Sequence, residues 1–310
     1  MYSFDGERLR AAAVAAARPL RWAAWRPDGA WALVVGNRGE AARYDGERYE
    51  RLATQSAHNL RGAAWSPDGS RALLCGNRGA VLLFDGDQFI ELPAATTENL
   101  RRAAWSPDGR CALVVGNAGT VLRFDALTGM LTPLPGDRAH TLRSIAWQPD
   151  GAYTLIGAYA SSYAGYPRPH MLYRCDGRYT QALLATDDDD DAVAISWRRQ
   201  DGRDEALILS VAYAPAGGAA RAVNKLMSYD GHGFATRTID APGALLGAGW
   251  RPGGADAVLC GEGGALLRYD GARAEPLASG TQDNLVGPFW RPDGSLALFI
   301  KGPDEKVYTA

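Results

Sequence analysis

The chain has 310 residues, of which 46% are hydrophobic and 22% charged, with a formal net charge of -2. That balance excludes the global positive field expected of a non-specific nucleic-acid or anionic-membrane binder. Four cysteines are too few for a disulfide scaffold, and no run approaches the roughly 18 apolar residues of a membrane span.

From the N-terminus, the first recognisable unit is Phe4-Asp5-Gly6, a copy of Phe84-Asp85-Gly86 further on. The alanine-rich stretch within Arg8 to Arg18 could pass for a weak secretory leader. Its registration argues otherwise. Asp5 precedes Trp25 by the same interval at which Asp45 precedes Trp65 and Asp85 precedes Trp105. Glu7 to about Ala13 therefore reads as an outer strand of the last repeat. The repeat itself begins with segments such as Leu100 to Gly109. Its tryptophans are Trp25, Trp65, Trp105, Trp147, Trp197, Trp250 and Trp290, evenly stepped through the first three copies and more widely between the fourth, fifth and sixth.

The second copy serves as a template. Strands are expected at Leu60 to Trp65, Arg71 to Cys75, Ala80 to Phe84 and Gln88 to Pro93. Ser66-Pro67-Asp68-Gly69, Gly76-Asn77-Arg78-Gly79 and Asp85-Gly86 turn between them. Proline presets φ for a type I turn, while Asp-Gly and Asn-x-Gly supply the positive φ that tight hairpins need. Runs such as Ala112 to Val115 and Leu296 to Ile300 are continuously apolar, as expected of strands buried on both faces. A period near 40 with four strands per copy is the signature of a propeller blade. The expected fold is all-β: one domain over residues 1–310, a single seven-bladed β-propeller with four antiparallel strands per blade. The last blade has expected strands at Leu285 to Trp290, Leu296 to Ile300 and Lys306 to Thr309, with residues 1–13 completing it. By repeat position Cys75, Cys111, Cys175 and Cys260 fall too far apart to bridge, and read as reduced core thiols.

The segments Ala103-Ala104-Trp105-Ser106-Pro107-Asp108-Gly109 and Gly119-Thr120-Val121-Leu122-Arg123-Phe124-Asp125 resemble the WD-repeat propellers, and the resemblance runs through all seven copies. The closing Trp-Asp of that family is Tyr44-Asp45, Phe84-Asp85, Phe124-Asp125, Tyr229-Asp230 and Tyr269-Asp270 here. Its Gly-His is replaced by segments such as His58-Asn59-Leu60 and Glu98-Asn99-Leu100. The resemblance implies a rigid scaffold that binds other molecules, usually proteins.

Where the repeat lengthens, function is the natural suspicion. From Trp to closing Asp, the first, second, third and sixth copies share one span, Trp25 to Asp45, Trp65 to Asp85, Trp105 to Asp125 and Trp250 to Asp270. The fourth, Trp147 to Asp176, and the fifth, Trp197 to Asp230, are longer. The excess falls in the second-to-third loops, Ala158 to Met171 and roughly Val211 to Lys225. Both belong to the face we call the top, where the blade-to-blade links also lie. The link between these copies carries Asp187, Asp188, Asp189, Asp190 and Asp191. Loops on a rigid scaffold carry specificity, so a partner-binding surface is expected here. It comprises Tyr159, Tyr163, Tyr166, Arg168 and His170 of the first loop, the five aspartates as solvated rim charges, and Arg221 and Lys225 of the second loop. Tolerated insertions are the bland alternative.

A second candidate is a basic arc. Arg21, Arg61, Arg101 and Arg143 each stand four residues before the repeat tryptophan, where later copies have Val193, Leu246 and Val286, and Arg38 and Arg78 join from the top turns. They form either an anion or acidic-peptide site at the channel mouth or a lining paired with acids such as Glu98. The aspartate run lacks the alternate spacing and glycine of a calcium loop. Ser161, His170 and Asp187 have no nucleophile-elbow context, four histidines without Cys-x-x-Cys give no zinc site, and no phosphate-loop or dinucleotide fingerprint occurs. The expectation is a non-enzymatic, cytoplasmic interaction module without metal or cofactor, binding a protein or peptide on its top face. A receptor for a small ligand or carbohydrate is the first rival and an enzyme with a channel-mouth site the second; neither nucleic acid nor membrane is expected as a partner.

Overall fold

The computed structural model describes residues 1–135, 140–159, 170–185, 190–216 and 219–303. Among them there is no α-helix, and so none long and apolar enough to cross a membrane. The chain opens with β1 (Tyr2–Phe4) and β2 (Leu9–Ala11). The first complete meander is β3 (Leu20–Trp25), β4 (Ala32–Gly36), β5 (Ala41–Tyr44) and β6 (Tyr49–Arg51). The second is β7 (Leu60–Trp65), β8 (Ala72–Gly76), β9 (Val81–Phe84) and β10 (Phe89–Glu91), and the third is β11 (Leu100–Trp105), β12 (Cys111–Gly116), β13 (Val121–Asp125) and β14 (Leu131–Pro133). Then come β15 (Thr141–Trp147), β16 (Thr154–Tyr159), β17 (His170–Cys175) and β18 (Thr180–Ala185), followed by β19 (Asp191–Gln200), β20 (Arg203–Ala216), β21 (Ala219–Tyr229) and β22 (Phe234–Ile239). The described chain ends with β23 (Leu245–Trp250), β24 (Ala257–Gly261), β25 (Leu266–Tyr269) and β26 (Ala274–Pro276), and with β27 (Leu285–Trp290) and β28 (Ala297–Lys301).

Each meander is an antiparallel sheet, and β15 to β22 merge into one sheet of eight strands where Tyr159 pairs with Asp191. This is a β-propeller. The turns form for the reasons their composition gives. In Ser66-Pro67-Asp68-Gly69 the Asp68 carboxylate accepts the Ser66 hydroxyl at 2.5 Å and the Ser70 N–H at 3.1 Å, with Gly69 at φ +68°. The Ser66 hydroxyl and the Ser70 donors together hold the Asp68 carboxyl down at about 2. In the Tyr-Asp-Gly turn Asp45 accepts the N–H groups of Glu47 and Arg48 at 2.8 and 2.7 Å, so the closing aspartate caps its hairpin. On the top turns Gly39 sits at φ +71°, and a Cβ there would stand 1.9 Å from the Ser56 carbonyl oxygen. Only glycine fits.

The second strands of the first three meanders are buried along their length, and the cores lie between neighbouring blades. Leu33 and Val35 pack with Leu60, Trp65, Leu74 and Phe84, and Leu73 and Val81 with Leu100, Trp105 and Phe124. Fully burying one such aliphatic side chain is worth about 1.5–3 kcal/mol. The repeat tryptophans add a directional link. The indole N–H of Trp65 donates to Ala24 O at 3.1 Å, Trp105 to Ala64 O at 3.1 Å, Trp147 to Ala104 O at 3.2 Å, Trp197 to Ala146 O at 3.1 Å and Trp290 to Gly249 O at 3.3 Å. Trp25 closes the circle on Phe289 O at 3.1 Å. At Trp250 the indole N–H has no acceptor; the Arg198 guanidinium lies 3.5 Å from its ring centroid instead.

Two expectations from the sequence need correction. The third strand of the last blade is Tyr2–Phe4, in register with Phe299, Leu298 and Ala297, and not Lys306 to Thr309, which lie outside the described residues. The reason was present in the copy itself: residues preceding Phe-Asp-Gly form a third strand elsewhere, and Phe4, 1% exposed, packs edge-on against Trp290 and Phe299. Leu9–Ala11 then forms the outer strand. The excess in the fifth copy is not a loop either. Val211 pairs with Asn224, and the ladder continues unbroken to Ala216 and Ala219. The inserted backbone satisfies its own polar groups by extending the hairpin.

Candidate functional site

First strands from six copies line a central cavity, and the residue three before the repeat tryptophan lies at its wall in each of them. That position holds Gly62, Ser144, Ala194, Gly247 and Gly287 in five copies, but Trp22 and Arg102 in the first and third. The small residues leave room for the two large ones. A Cβ on Gly62 would already stand 3.1 Å from the Arg102 Cα. The Arg102 guanidinium lies 3.8 Å from the Trp22 ring centroid and donates to the carbonyls of Arg61 and Arg101 at 2.7 and 2.8 Å. Trp22 donates to Ala63 O at 3.1 Å and meets Phe289 edge-on, with ring centroids 4.4 Å apart. Arg102 lines two cavities. Below lies a cavity of about 380 Å³, and on the top side one of about 230 Å³.

The upper cavity is lined by Arg21, Arg61, Arg101, Arg143 and Arg102 on one side, and by Leu20, Val286, Ile300 and Pro303 together with Lys301 on the other. Asparagines of the top turns aim the arginines. Arg21 Nε donates to Asn37 Oδ1 at 3.0 Å, Arg61 Nε to Asn77 Oδ1 at 3.0 Å, and Arg101 Nε to Asn117 Oδ1 at 2.9 Å. Each guanidinium is fixed by its Nε, leaving its terminal amino groups for the cavity. Arg143 lies 4.3 Å over the Tyr159 ring, and its buried Nε has no hydrogen-bond partner. None of these four arginines, nor Arg102, pairs with a carboxylate among the described residues. The expected alternative of pairing with Glu98 is not what the structure holds. Lys301 alone of the lining cations is paired, with Asp283 at 2.9 Å.

Burial and mutual repulsion show in the titration of the group. Burial pulls Arg101 down to about 9, with Arg143, Arg61 and Arg102 pushing the same way. Burial also pulls Arg102 down to about 10, opposed by Tyr159. Arg61 is lowered by burial and then by Arg21 and Arg143. All remain cationic at neutral pH, at a cost that a bound anion would relieve.

Arg38 and Arg78, expected to join the arc, do not line this cavity. They are exposed at φ +53° and +57° on the top turns, with their backbone N–H groups bonded to Asn59 and Asn99 at 2.9 and 3.0 Å. Those asparagines belong to the segments standing in place of the Gly-His, so the links into the second and third copies tie down the turn of the copy before.

The other sector holds its charges differently. Asp190 and Asp191 are buried, at 5% and 0% exposure, and are not solvated rim charges: Asp190 pairs with Lys225 at 3.0 Å, and Asp191 begins β19. Lys225 is correspondingly tied inward. Tyr159 is buried beneath Arg143. Arg221 is exposed and stands 3.7 Å from the equally exposed Asp240. His170 starts β17. Tyr163, Tyr166, Arg168, Asp187, Asp188 and Asp189 lie outside the described residues. Sequence reasoning missed Arg102 and Trp22, whose channel position carries no repeated residue type, and Asn37, Asn77 and Asn117, which it took for turn residues alone. The spacing of 16 from each Arg to its Asn, identical in three copies, was the available signal.

No family model matches the chain, and no curated protein matches it. Among solved structures it is similar to YCF48 bound to a D1 peptide, with a TM-score of 0.66 and 13% identity over 97% of this chain and 95% of that one. At that identity the likeness is one of fold. Since 967 solved chains match, it selects no activity by itself.

Proposed function

We propose that this chain is a non-enzymatic binding propeller of seven blades, counting the eight-stranded sheet as two, in the manner of the WD-repeat scaffolds it resembles. Its top face engages a protein or peptide partner, and the contact centres on the arginine mouth. The observation that carries this reading is the set of four guanidiniums, three of them aimed by asparagines, that line one cavity and have no carboxylate partner among the described residues. Unpaired buried cations are costly unless something supplies the counter-charge. Arginine is also the residue best suited to bidentate capture of an acidic group. YCF48, which shares the fold, is known bound to a peptide, so a propeller of this shape can serve such a role. Arg221, exposed on the hairpin of the fifth copy, would contact the partner beyond the mouth. We place the protein in the cytoplasm, supported by four buried, unbridged thiols.

Capture of binding partners by the full chain, compared with its Arg61→Gln/Arg101→Gln variant, tests the proposal. A partner held by the wild type and lost from an equally folded variant is the expected result. Undiminished capture by the variant would move the contact elsewhere. A melting temperature raised by a neutral sugar, with no protein captured, would favour the small-ligand reading.

A further inference from the structure

The arginine mouth has a definite charge, size and polarity, and together these select among anions. Resting on the peptide-binding reading above, we infer that the group it receives is a phosphoryl dianion, carried on a side chain of the partner. The first argument is charge. Four guanidiniums face the cavity with Arg102 beneath them, and among the described residues no carboxylate offsets any of the five. A carboxylate brings one charge and two oxygens. A phosphoryl group brings about -1.5 to -2 and three strong acceptor oxygens, so it can accept from several guanidiniums at once. The three Nε–asparagine bonds fix the guanidinium planes before any ligand arrives, so little rotamer entropy remains to be lost on binding.

The second argument is size. The cavity of about 230 Å³ corresponds to roughly eight waters at their share of liquid volume, and Arg102, stacked on Trp22, forms part of its wall. What enters is one compact group, not a length of nucleic-acid backbone, which would need basic residues spaced along a track.

The third argument is polarity. Opposite the arginines the wall is Leu20, Val286, Ile300 and Pro303. A bare oxyanion leaves this apolar wall unused, whereas a phosphorylated side chain lays its carbon stem against it. The expected order of affinity is therefore phosphorylated peptide above inorganic phosphate. The lowered pKa values of Arg61, Arg101 and Arg102, set first by burial and then by neighbouring arginines, agree with a site where a bound anion relieves the cost of buried charge.

The experiment titrates the full chain calorimetrically with a phosphoserine peptide, the same peptide bearing serine or glutamate, phenyl phosphate, inorganic phosphate and a single-stranded oligonucleotide. The phosphoserine peptide is expected to bind about tenfold or more tighter than its glutamate form. Its serine form should not bind. Affinity should fall as the pH is lowered from 7.5 to 5.5, because the second phosphate proton titrates near about 6. Arg101→Gln and Arg61→Gln should each weaken phosphopeptide binding about tenfold or more, and Arg38→Gln, on an exposed turn, should not. Equal binding of the glutamate and phosphoserine peptides would overturn the phosphoryl assignment and leave the peptide reading standing. Phenyl phosphate binding as tightly as the phosphopeptide would keep the phosphoryl chemistry and overturn the peptide source. Preference for the oligonucleotide, or no response to any phosphate, would overturn the inference outright.

Discussion

The meanders of β3 to β14 and the merged sheet of β15 to β22 handle charge in opposite ways. In the regular sector every turn is minimal, yet it supplies Arg21, Arg61 and Arg101 aimed at a common cavity with no acid to meet them. In the extended sector, where the chain is longest, several charges pair with one another, Asp190 with Lys225, Arg199 with Asp204 at 2.6 Å and Arg198 with Glu205 at 2.6 Å, and Arg143 of β15 joins the cavity from this side. Extra residues gave the fifth copy a longer hairpin, while three short, nearly identical copies left charge unsatisfied at the ring's centre.

The largest expected effect tests what holds both sectors in one ring. Deleting residues 1–13 removes the third and outer strands of the last blade, exposes the β28 edge and uncovers Trp290. The deleted protein should lose cooperative unfolding and self-associate, as read by calorimetry and light scattering. A monomer with an unchanged melting curve would show that the pairing of Tyr2 to Phe299 contributes nothing.

Next in size, Trp105→Ala in the regular sector should cost about 3–5 kcal/mol by chemical denaturation, from cavity formation and the lost bond to Ala64. Trp250→Ala loses a stacked ring but no indole hydrogen bond, and should cost about 1 kcal/mol less. Equal costs would mean that the indole bonds contribute no net stability.

A sharper contrast comes from single charges. Lys225→Met leaves Asp190 buried without its ammonium partner and should cost roughly 1–3 kcal/mol. Arg101→Gln removes a cation from a repelling cluster, and should leave the melting temperature unchanged or raise it by about 1–2 °C. If both substitutions destabilise alike, the arginines are structural and the contrast between sectors fails.

Acid is expected to act on both sectors equally and most gently. Asp68 and Asp125 titrate near about 2 when folded, and Asp45, Asp85, Asp176, Asp230 and Asp270 are also lowered, chiefly by the turn N–H groups they accept. The folded state thus binds protons less readily than the unfolded one. The stability this confers is fully present above about 4 and is lost as pH falls through the folded values. Melting temperature should be flat from pH 7 to 4 and drop by roughly 3 °C or more towards pH 2.

Much of this architecture was legible because each turn carries its own chemistry. Ser-Pro-Asp-Gly, Asn-x-Gly and Phe-Asp-Gly specify backbone states locally, and the apolar runs between them can only be doubly buried strands. The arc of Arg21, Arg61, Arg101 and Arg143 was legible for the same reason, since a fixed offset from the tryptophan fixes a place in the ring. What was not legible depends on relations between blades. Nothing local to Arg102 says that Trp22, from two copies earlier, will lie under it. Nor does the Ala- and Gly-rich stretch from Val211 to Arg221 announce a strand, because small residues carry little β-pattern. The third strand of the last blade was misplaced by pursuing continuity at the C-terminus when the copied Phe-Asp-Gly at residues 4–6 already named its owner.

The pairing of Tyr2 with Phe299 also has a meaning in time. Strands about 300 residues apart cannot meet until both have been made, and at the usual pace of about 5–20 residues per second the first waits some 15–60 s on the ribosome for the second. During that interval the earlier blades stand as an open stack with bare edges at both ends. The Asp-capped turns and short outer strands of β6, β10 and β14, three residues each, are what such a waiting intermediate presents to its neighbours.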